Sequence, residues 1–282
     1  MTDYQAAVLL EHLAFPEGPR WHQGQFWFTD QHARQVCRVS RQGGLEVMIE
    51  TDDLPGGLGW LPDGSLLVVY MTRRQIMRWD GVGLELYADL SRHASFHCND
   101  LLVDPAGRIY AGNFGFDLHG GAEQAPAELL LVDTDGSVHL LSDQVIFPNG
   151  AVMTPDQRQL IVAETFGHCL TAFSLDQRGR VSGSALWADL GDRTPDGICL
   201  DRQGMIWVAS PATREVIRVQ QGGAIVDRCA TIGTPYACTL GGPQRRDLYL
   251  CTSETDDPNQ ALAHRSGRIE YVTVAVGGAG YP

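Results

Sequence analysis

Lysine is absent from this chain: all 21 basic residues among its 282 are arginine. Without lysine there is no Schiff-base chemistry, no lysine general base, and no P-loop, whose glycines must be followed by Lys. Positive charge is scarce in total, with 34 acidic residues against those 21 and a net charge of −13, and no extended basic run occurs. Phosphate backbones and anionic membranes are bound through clustered positive charge, so neither nucleic acid nor membrane is expected as a partner. Long hydrophobic runs are missing too, and no stretch approaches the ~18 apolar residues of a membrane-spanning helix. The start, MTDYQAAVLLEHLAFPEGP, has no basic n-region and is interrupted by Glu11 and His12, so it does not read as a signal peptide. The seven cysteines are scattered and no two make a CxxC pair. This excludes a zinc cluster and a redox motif and predicts buried, reduced thiols in a cytoplasmic protein. No GxSxG elbow supports an α/β-hydrolase triad, Ser184 in VSGSALW lacking the second glycine, and no GxGxxG follows a strand. His93 and His97 have the i,i+4 spacing of helical zinc ligands, but HASFH lacks the catalytic Glu and runs directly into a strand.

What is present is repetition. Six segments share one plan: a Pro or Cys, a variable residue, a small residue or Asp, a short strand, a turn and a second apolar strand. They read PEGPRWHQGQFWFTD from Pro16, PGGLGWLPDGSLLVVY from Pro55, CNDLLVDPAGRIYAGN from Cys98, PNGAVMTPDQRQLIVAE from Pro148, PDGICLDRQGMIWVAS from Pro195 and PYACTLGGPQRRDLYLC from Pro235. Pro-Asp-Gly at 62–64 and Pro-Ala-Gly at 105–107 are turns with a fixed φ followed by a residue free to take φ > 0. Each second strand is a short continuous apolar run, as for a strand covered on both faces. Third strands follow (QVCRVS, QIMRWD, ELLLVDTDG, CLTAFSLDQ, EVIRVQQGG, RIEYVTVAV), and fourth strands are visible in five repeats. Four strands in each ~45-residue repeat, six times over, predict an all-β fold: a six-bladed β-propeller forming a single domain over residues 1–282. The sixth repeat ends after its third strand, and the spare N-terminal strand AAVLLEHL is expected to complete that blade and close the ring.

In a propeller the innermost strands converge on a central channel, so equivalent repeat positions face one another there. The variable residues are Glu17, Gly56, Asn99, Asn149, Asp196 and Tyr236. Four carry side-chain oxygens, Gly56 leaves space, and Tyr236 offers a wall with a polar tip. An all-oxygen cluster of two carboxylates and two amides favours a hard divalent cation such as Ca²⁺, Mg²⁺ or Mn²⁺, with Zn²⁺ and Fe²⁺ left open. The competing reading is that Asn and Asp before strands are ordinary turn residues. Segments after the second strands are expected to reach the same mouth with Tyr70, Met71, Asn113, Phe114, Phe116, Glu164 and Phe166. The glycine-rich stretch 112–121 is expected to act as a lid whose phenylalanines either meet an apolar substrate or only pack the loop.

FPEGPRW, the Asn-Asp at 99–100, FPNG at 147–150 and Pro-Asp-Gly at 195–197 together resemble the SMP30/gluconolactonase/luciferin-regenerating-enzyme (regucalcin-like) family, repeat by repeat over nearly the whole chain. The resemblance implies a six-bladed propeller with one divalent metal ion, Ca²⁺ foremost, and hydrolysis of a lactone. It implies Glu17, Asn149 and Asp196 as metal ligands, Asp196 also as the acid/base residue, and Asn99 at the substrate or a metal-bound water. Sugar-lactone members often carry Arg two residues before that Asn, where this chain has His97. The substitution points to a substrate less polar than a sugar lactone, with His97, Asn99, Phe114 and Tyr236 as its contacts. Asp100 is expected either to orient Asn99 or to serve the strand. The small-molecule partner would be a lactone or ester. Two alternatives stay open at this stage: ester or phosphoester hydrolysis, or strictosidine-synthase-like chemistry, on the same fold, and a metal-binding propeller without enzymatic activity.

Overall fold

The computed structural model describes residues 1–39 and 44–280. They form six antiparallel sheets, nearly all of the chain's regular structure. The innermost strands are Pro16–His22, Pro55–Trp60, Cys98–Val103, Pro148–Met153, Ile198–Leu200 and Thr234–Gly241. Each lies against the next, and the sixth lies against the first, so the ring is closed. In the sixth blade Ala7–Leu13 pairs antiparallel with Gly267–Thr273 as the outermost strand, the closure expected of the N-terminal segment. The third strand of the first blade is Gln35–Val39; Ser40, which ended it in the sequence reading, lies outside the described residues, as do Tyr281 and Pro282 at the end of the expected domain.

Two elements have no counterpart in the repeat pattern. Thr2–Gln5 adds a fifth, parallel strand to the fifth blade, tied by Thr2 N–H to Asp227 Oδ1 (2.9 Å) and by Tyr4 packed edge-on to Trp207. A helix, Pro258–His264, interrupts the sixth repeat; Asp257 caps it by accepting the Gln260 N–H, and Pro258 sits where its missing N–H costs nothing. Among the described residues no helix is long and apolar enough to cross a membrane.

The middle of each second strand is a run of buried, mostly apolar residues because both faces are covered. In Gln25–Asp30, Phe26 and Phe28 face the sixth blade while Trp27 faces the second. Six hydrophobic clusters result, one at each junction between neighbouring blades. Each large apolar side chain removed from water there contributes ~1.5–3 kcal/mol. All seven cysteines are unpaired thiols and six of them are buried.

Close to the axis, packing is limited by backbone contact. A Cβ on Gly57 would overlap the Asp100 carboxylate, and one on Gly197 would stand 2.5 Å from the Ala237 Cβ. The glycine of the Pro-x-Gly motif is therefore the point where the neighbouring inner strand passes. The register of the first two strands breaks just there in five blades, at Glu17/Arg20, Pro55/Leu58, Cys98/Leu101, Pro148/Ala151 and Pro235/Ala237. A bulge of this kind re-aims the variable residue, turning it out of the ladder and towards the channel mouth.

Deeper in the channel Arg20 reaches from the first blade to the third. Its Nη2 donates to Asp100 Oδ1 (2.6 Å) and to the Leu101 carbonyl (2.8 Å), and both side chains are largely buried. Asp100 thus belongs to a cross-channel ion pair and does not orient Asn99. Replacing one member strands a buried charge, so Arg20→Met is expected to cost ~3–5 kcal/mol in urea unfolding, and Arg20→Met with Asp100→Leu much less. His22, next along this strand, lies flat on Trp60 (centroids 4.0 Å apart, planes 5° apart), and burial holds its pKa below the ordinary 6.5; burial acts likewise on His32. At these two sites the unfolded chain takes up protons that the fold refuses, a contribution to stability that is full above about pH 7 and is lost as pH drops below that. Comparing unfolding midpoints at about pH 7 and pH 5 isolates the share of His22: His22→Phe, which keeps the stack and does not titrate, should lose less stability over that range than wild type, or gain more.

Candidate functional site

Bulged strand starts in four blades, and the segment just before Ile198–Leu200 in the fifth, bring five of the six variable residues to one cavity of about 210 Å³, lined by Glu17, Asn99, Asn149, Asp196 and Tyr236 from five different blades. The sixth, Gly56, does not leave open space: the Asn99 carbonyl and the Met71 side chain fill the position a Cβ would take. Phe15, Phe114, Leu118, Phe147 and Phe166 form an apolar wall, and His32, Thr165 and Asp256 add polar groups at other points.

Burial of acids elsewhere in the molecule sets the standard for judging this site. Seven acidic residues are buried among the described residues: Asp30, Asp53, Asp104, Glu164, Asp196, Asp201 and Glu270. Six are saturated with donors. Asp30 accepts the Ala14 and Phe15 N–H groups, Glu164 the Ile146 N–H and the Thr171 hydroxyl, and Glu270 the Ile232 and Gly233 N–H groups. Asp53 accepts the Leu54 and Arg73 N–H groups, while Asp104 and Asp201 hold Arg108 and Arg218. Asp196, 9% exposed, has neither a backbone N–H nor an arginine. Its pKa is raised well above the ordinary range by burial and then by the charges of Glu17 and Asp100, with an Asn149 hydrogen bond opposing. Burial, with Asp100 adding to it, pushes Glu17 up to about 7 against the Gly18 N–H, which donates to its Oε2 (2.7 Å). Arg20 is committed to Asp100, and no arginine among the described residues lines the cavity.

Two carboxylates that repel one another, Asp196 buried and Glu17 half-buried, with no arginine among the described residues bonded to either, are what a bound cation relieves. Among the described residues no three His, Cys, Asp or Glu side chains converge to hold a metal ion. The donor set here is of another kind, two carboxylates completed by amide oxygens. Asn149 Nδ2 donates to Thr165 Oγ1 (3.2 Å), which itself donates to the Pro195 carbonyl (2.8 Å), and this arrangement leaves Asn149 Oδ1 uncommitted. All-oxygen donors of this type suit Ca²⁺ or Mg²⁺. The residues present fit a divalent cation held by Glu17, Asn149 and Asp196, with Asn99 beside them.

The other residues singled out from the sequence divide. Phe114 and Phe166 line the cavity, but Tyr70, Met71, Asn113, Phe116 and Glu164 do not. Asn113 is fully buried and accepts the Gly115 N–H through Oδ1, Glu164 anchors Ile146 as above, and Phe116 packs behind Phe147 and Phe166. His97 stands one layer back from the cavity, its ring on Phe96 (4.2 Å) and tilted against Phe114 (6.2 Å), with burial lowering its pKa. The stretch 112–121 folds over the mouth with Phe114, Leu118 and His119 facing inwards.

Phe15, His32, Thr165 and Asp256 were not legible in advance. His32 Nε2 donates to the Asp256 carbonyl (3.1 Å), which fixes the neutral tautomer with hydrogen on Nε2, and its ring stacks on Phe15. The signals were faint: Phe15, His32 and Thr165 sit one or two positions from the end of a recognised strand with nothing to show which way they turn, and Asp256 precedes a helix that the repeat pattern does not contain.

A family model described as the SMP-30/Gluconolactonase/LRE-like region matches residues 15–254. A regucalcin of Danio rerio is 29% identical over 266 residues, covering 91% of this chain and 88% of that protein. A pentonolactonase of Haloferax volcanii is 28% identical over 253 residues, covering 87% of this chain and 84% of that one. A solved structure, a calcium-binding regucalcin from Agrobacterium tumefaciens, shares the fold with a TM-score of 0.84 at 22% identity, over 100% of this chain and 98% of that one. With six blades, an oxygen-lined mouth and a match that runs through every repeat, this chain belongs to the SMP-30/gluconolactonase/LRE-like family.

Proposed function

We propose that the protein is a divalent-cation-dependent hydrolase that opens a lactone, a ring less polar than a sugar lactone, in the cytoplasm. The observation that carries this reading is the pair Glu17 and Asp196, two carboxylates from different blades that line one cavity with no arginine among its described lining residues, set beside amide oxygens and an apolar wall. The pentonolactonase among its relatives supports the reaction class, and the calcium-binding regucalcin supports the cation. The unpaired thiols support the compartment.

When bound, the cation supplies Lewis acidity towards the ester carbonyl and lowers the pKa of nearby water. Glu17, Asn149 and Asp196 hold it, two charges being matched by two carboxylates. Asp196 accepts the proton of the attacking water at its carboxylate and returns it to the ring oxygen as the acyl C–O bond breaks, leaving a hydroxy acid. The Asn99 amide and the Tyr236 phenol, both without other side-chain commitments, orient the ring. The Phe114–Phe147 face excludes bulk water, which strengthens every polar contact inside. The substrate is a neutral small molecule, and an acidic, arginine-only surface leaves no role for nucleic acid or anionic membrane.

Chelation is expected to abolish acid release from a lactone panel, and Ca²⁺, Mg²⁺ or Mn²⁺ to restore it. Asp196→Asn should lower kcat by ~10²–10⁴-fold. Turnover of phosphoesters but of no lactone, or wild-type kcat in Asp196→Asn, would refute the assignment. Thr165 is expected to act through Asn149. Thr165→Val should weaken cation affinity ~10–100-fold, read as the concentration of cation needed to raise Tm, while Thr165→Ser retains it.

A further inference from the structure

We propose that the cavity selects uncharged lactones bearing an apolar alkyl or aryl arm, which lies on the phenylalanine wall beside the carboxylates, and that it rejects lactones bearing an anionic group. This rests on the lactonase reading above and narrows it to a substrate class.

The wall is a built surface. Phe147 is its hub, buried, stacked on Phe114 (4.5 Å, 27°) and meeting Phe166 edge-on (5.0 Å, 68°). Phe116 supports it from behind without lining the cavity. The Phe147 backbone is left-handed (φ 54), a conformation a bulky residue adopts only where the surroundings impose it. Its carbonyl is held by the Thr165 N–H (3.2 Å). Phe147 also leads through Pro148 directly into Asn149, so the aromatic floor and one donor of the cation set are two residues apart on the same tight segment. An arm on the lactone ring therefore meets phenyl faces immediately next to the reacting carbonyl. Sugar hydroxyls placed there would lose water and find no partner on these rings.

Charge supplies the second half of the selection. Among the described residues three carboxylates line the cavity, Glu17, Asp196 and Asp256, and no arginine does, in a chain without lysine. A divalent cation offsets two of them and leaves Asp256. A phosphate or carboxylate on the substrate would meet a like charge with no arginine or lysine among the described lining residues to offset it, whereas the neutral lactone meets no such repulsion and the hydroxy-acid anion is driven out.

The test compares four lactones on the cation-loaded protein: δ-valerolactone, δ-nonalactone, δ-gluconolactone and 6-phosphogluconolactone. The expected order places δ-nonalactone at least about tenfold above δ-valerolactone and δ-gluconolactone in kcat/KM, and the phosphorylated lactone at least about tenfold below its neutral parent. In Phe166→Ala and Phe114→Ala the ratio of δ-nonalactone to δ-valerolactone should collapse to within about threefold of unity, and Phe166→Leu, which keeps an apolar face, should preserve most of it. Equal use of the phosphorylated lactone, or a ratio unmoved by both alanine variants, overturns the proposal while leaving the lactonase reading standing; hydrolysis with δ-gluconolactone preferred overturns the proposal and the less polar ring of that reading, and leaves lactone hydrolysis itself standing. No turnover of any of the four with any cation overturns the lactonase reading itself and this inference with it.

Discussion

The structure depends on how closely six innermost strands can approach one axis. Backbone meets backbone there, so the strand starts carry glycine where a neighbour crosses, as at Gly57 and Gly197, and the strands break register to pass. That break turns the residue between the proline and the glycine out of the ladder. A rule of packing thus becomes a rule of function, because whichever side chain occupies that position is presented to the mouth. The hydrophobic junctions between blades make the ring rigid enough for five such residues to meet.

Electrostatics then separates the acids that the fold compensates from the pair that it does not. Asp30, Glu164 and Glu270 each tie down a loop between blades by accepting its N–H groups, and Asp100, Asp104 and Asp201 each hold an arginine. The chain satisfies buried carboxylates wherever stability alone is served. At Glu17 and Asp196 that compensation is incomplete, and desolvation and repulsion raise both pKa values. The strained backbone at Phe147, directly before the Asn149 loop, has the same character: local cost accepted where the cavity is shaped.

The repeat, its turns and the two-sided apolar strands were readable from local pattern, and with them the convergence of Glu17, Asn99, Asn149, Asp196 and Tyr236. These features have a period, and a period is visible in one dimension. Thr2–Gln5 was not readable, because its pairing with the fifth blade rests on a partner 225 residues away at Asp227. Nor was the role of Asp100, whose partner Arg20 is 80 residues distant. Asn113 and Glu164 follow the same strands as Phe114 and Phe166, yet they turn inwards to hold loops while the phenylalanines face the cavity.

By itself, then, the sequence determined the architecture and the kind of atoms at the channel mouth, since hydrophobic periodicity and the chemistry of each variable residue are properties of the letters. Only the tertiary structure decided which acids are compensated and which are not, and which side chains form the wall facing them. Both depend on contacts between blades, and direction in space across such a distance is not written in the order of residues.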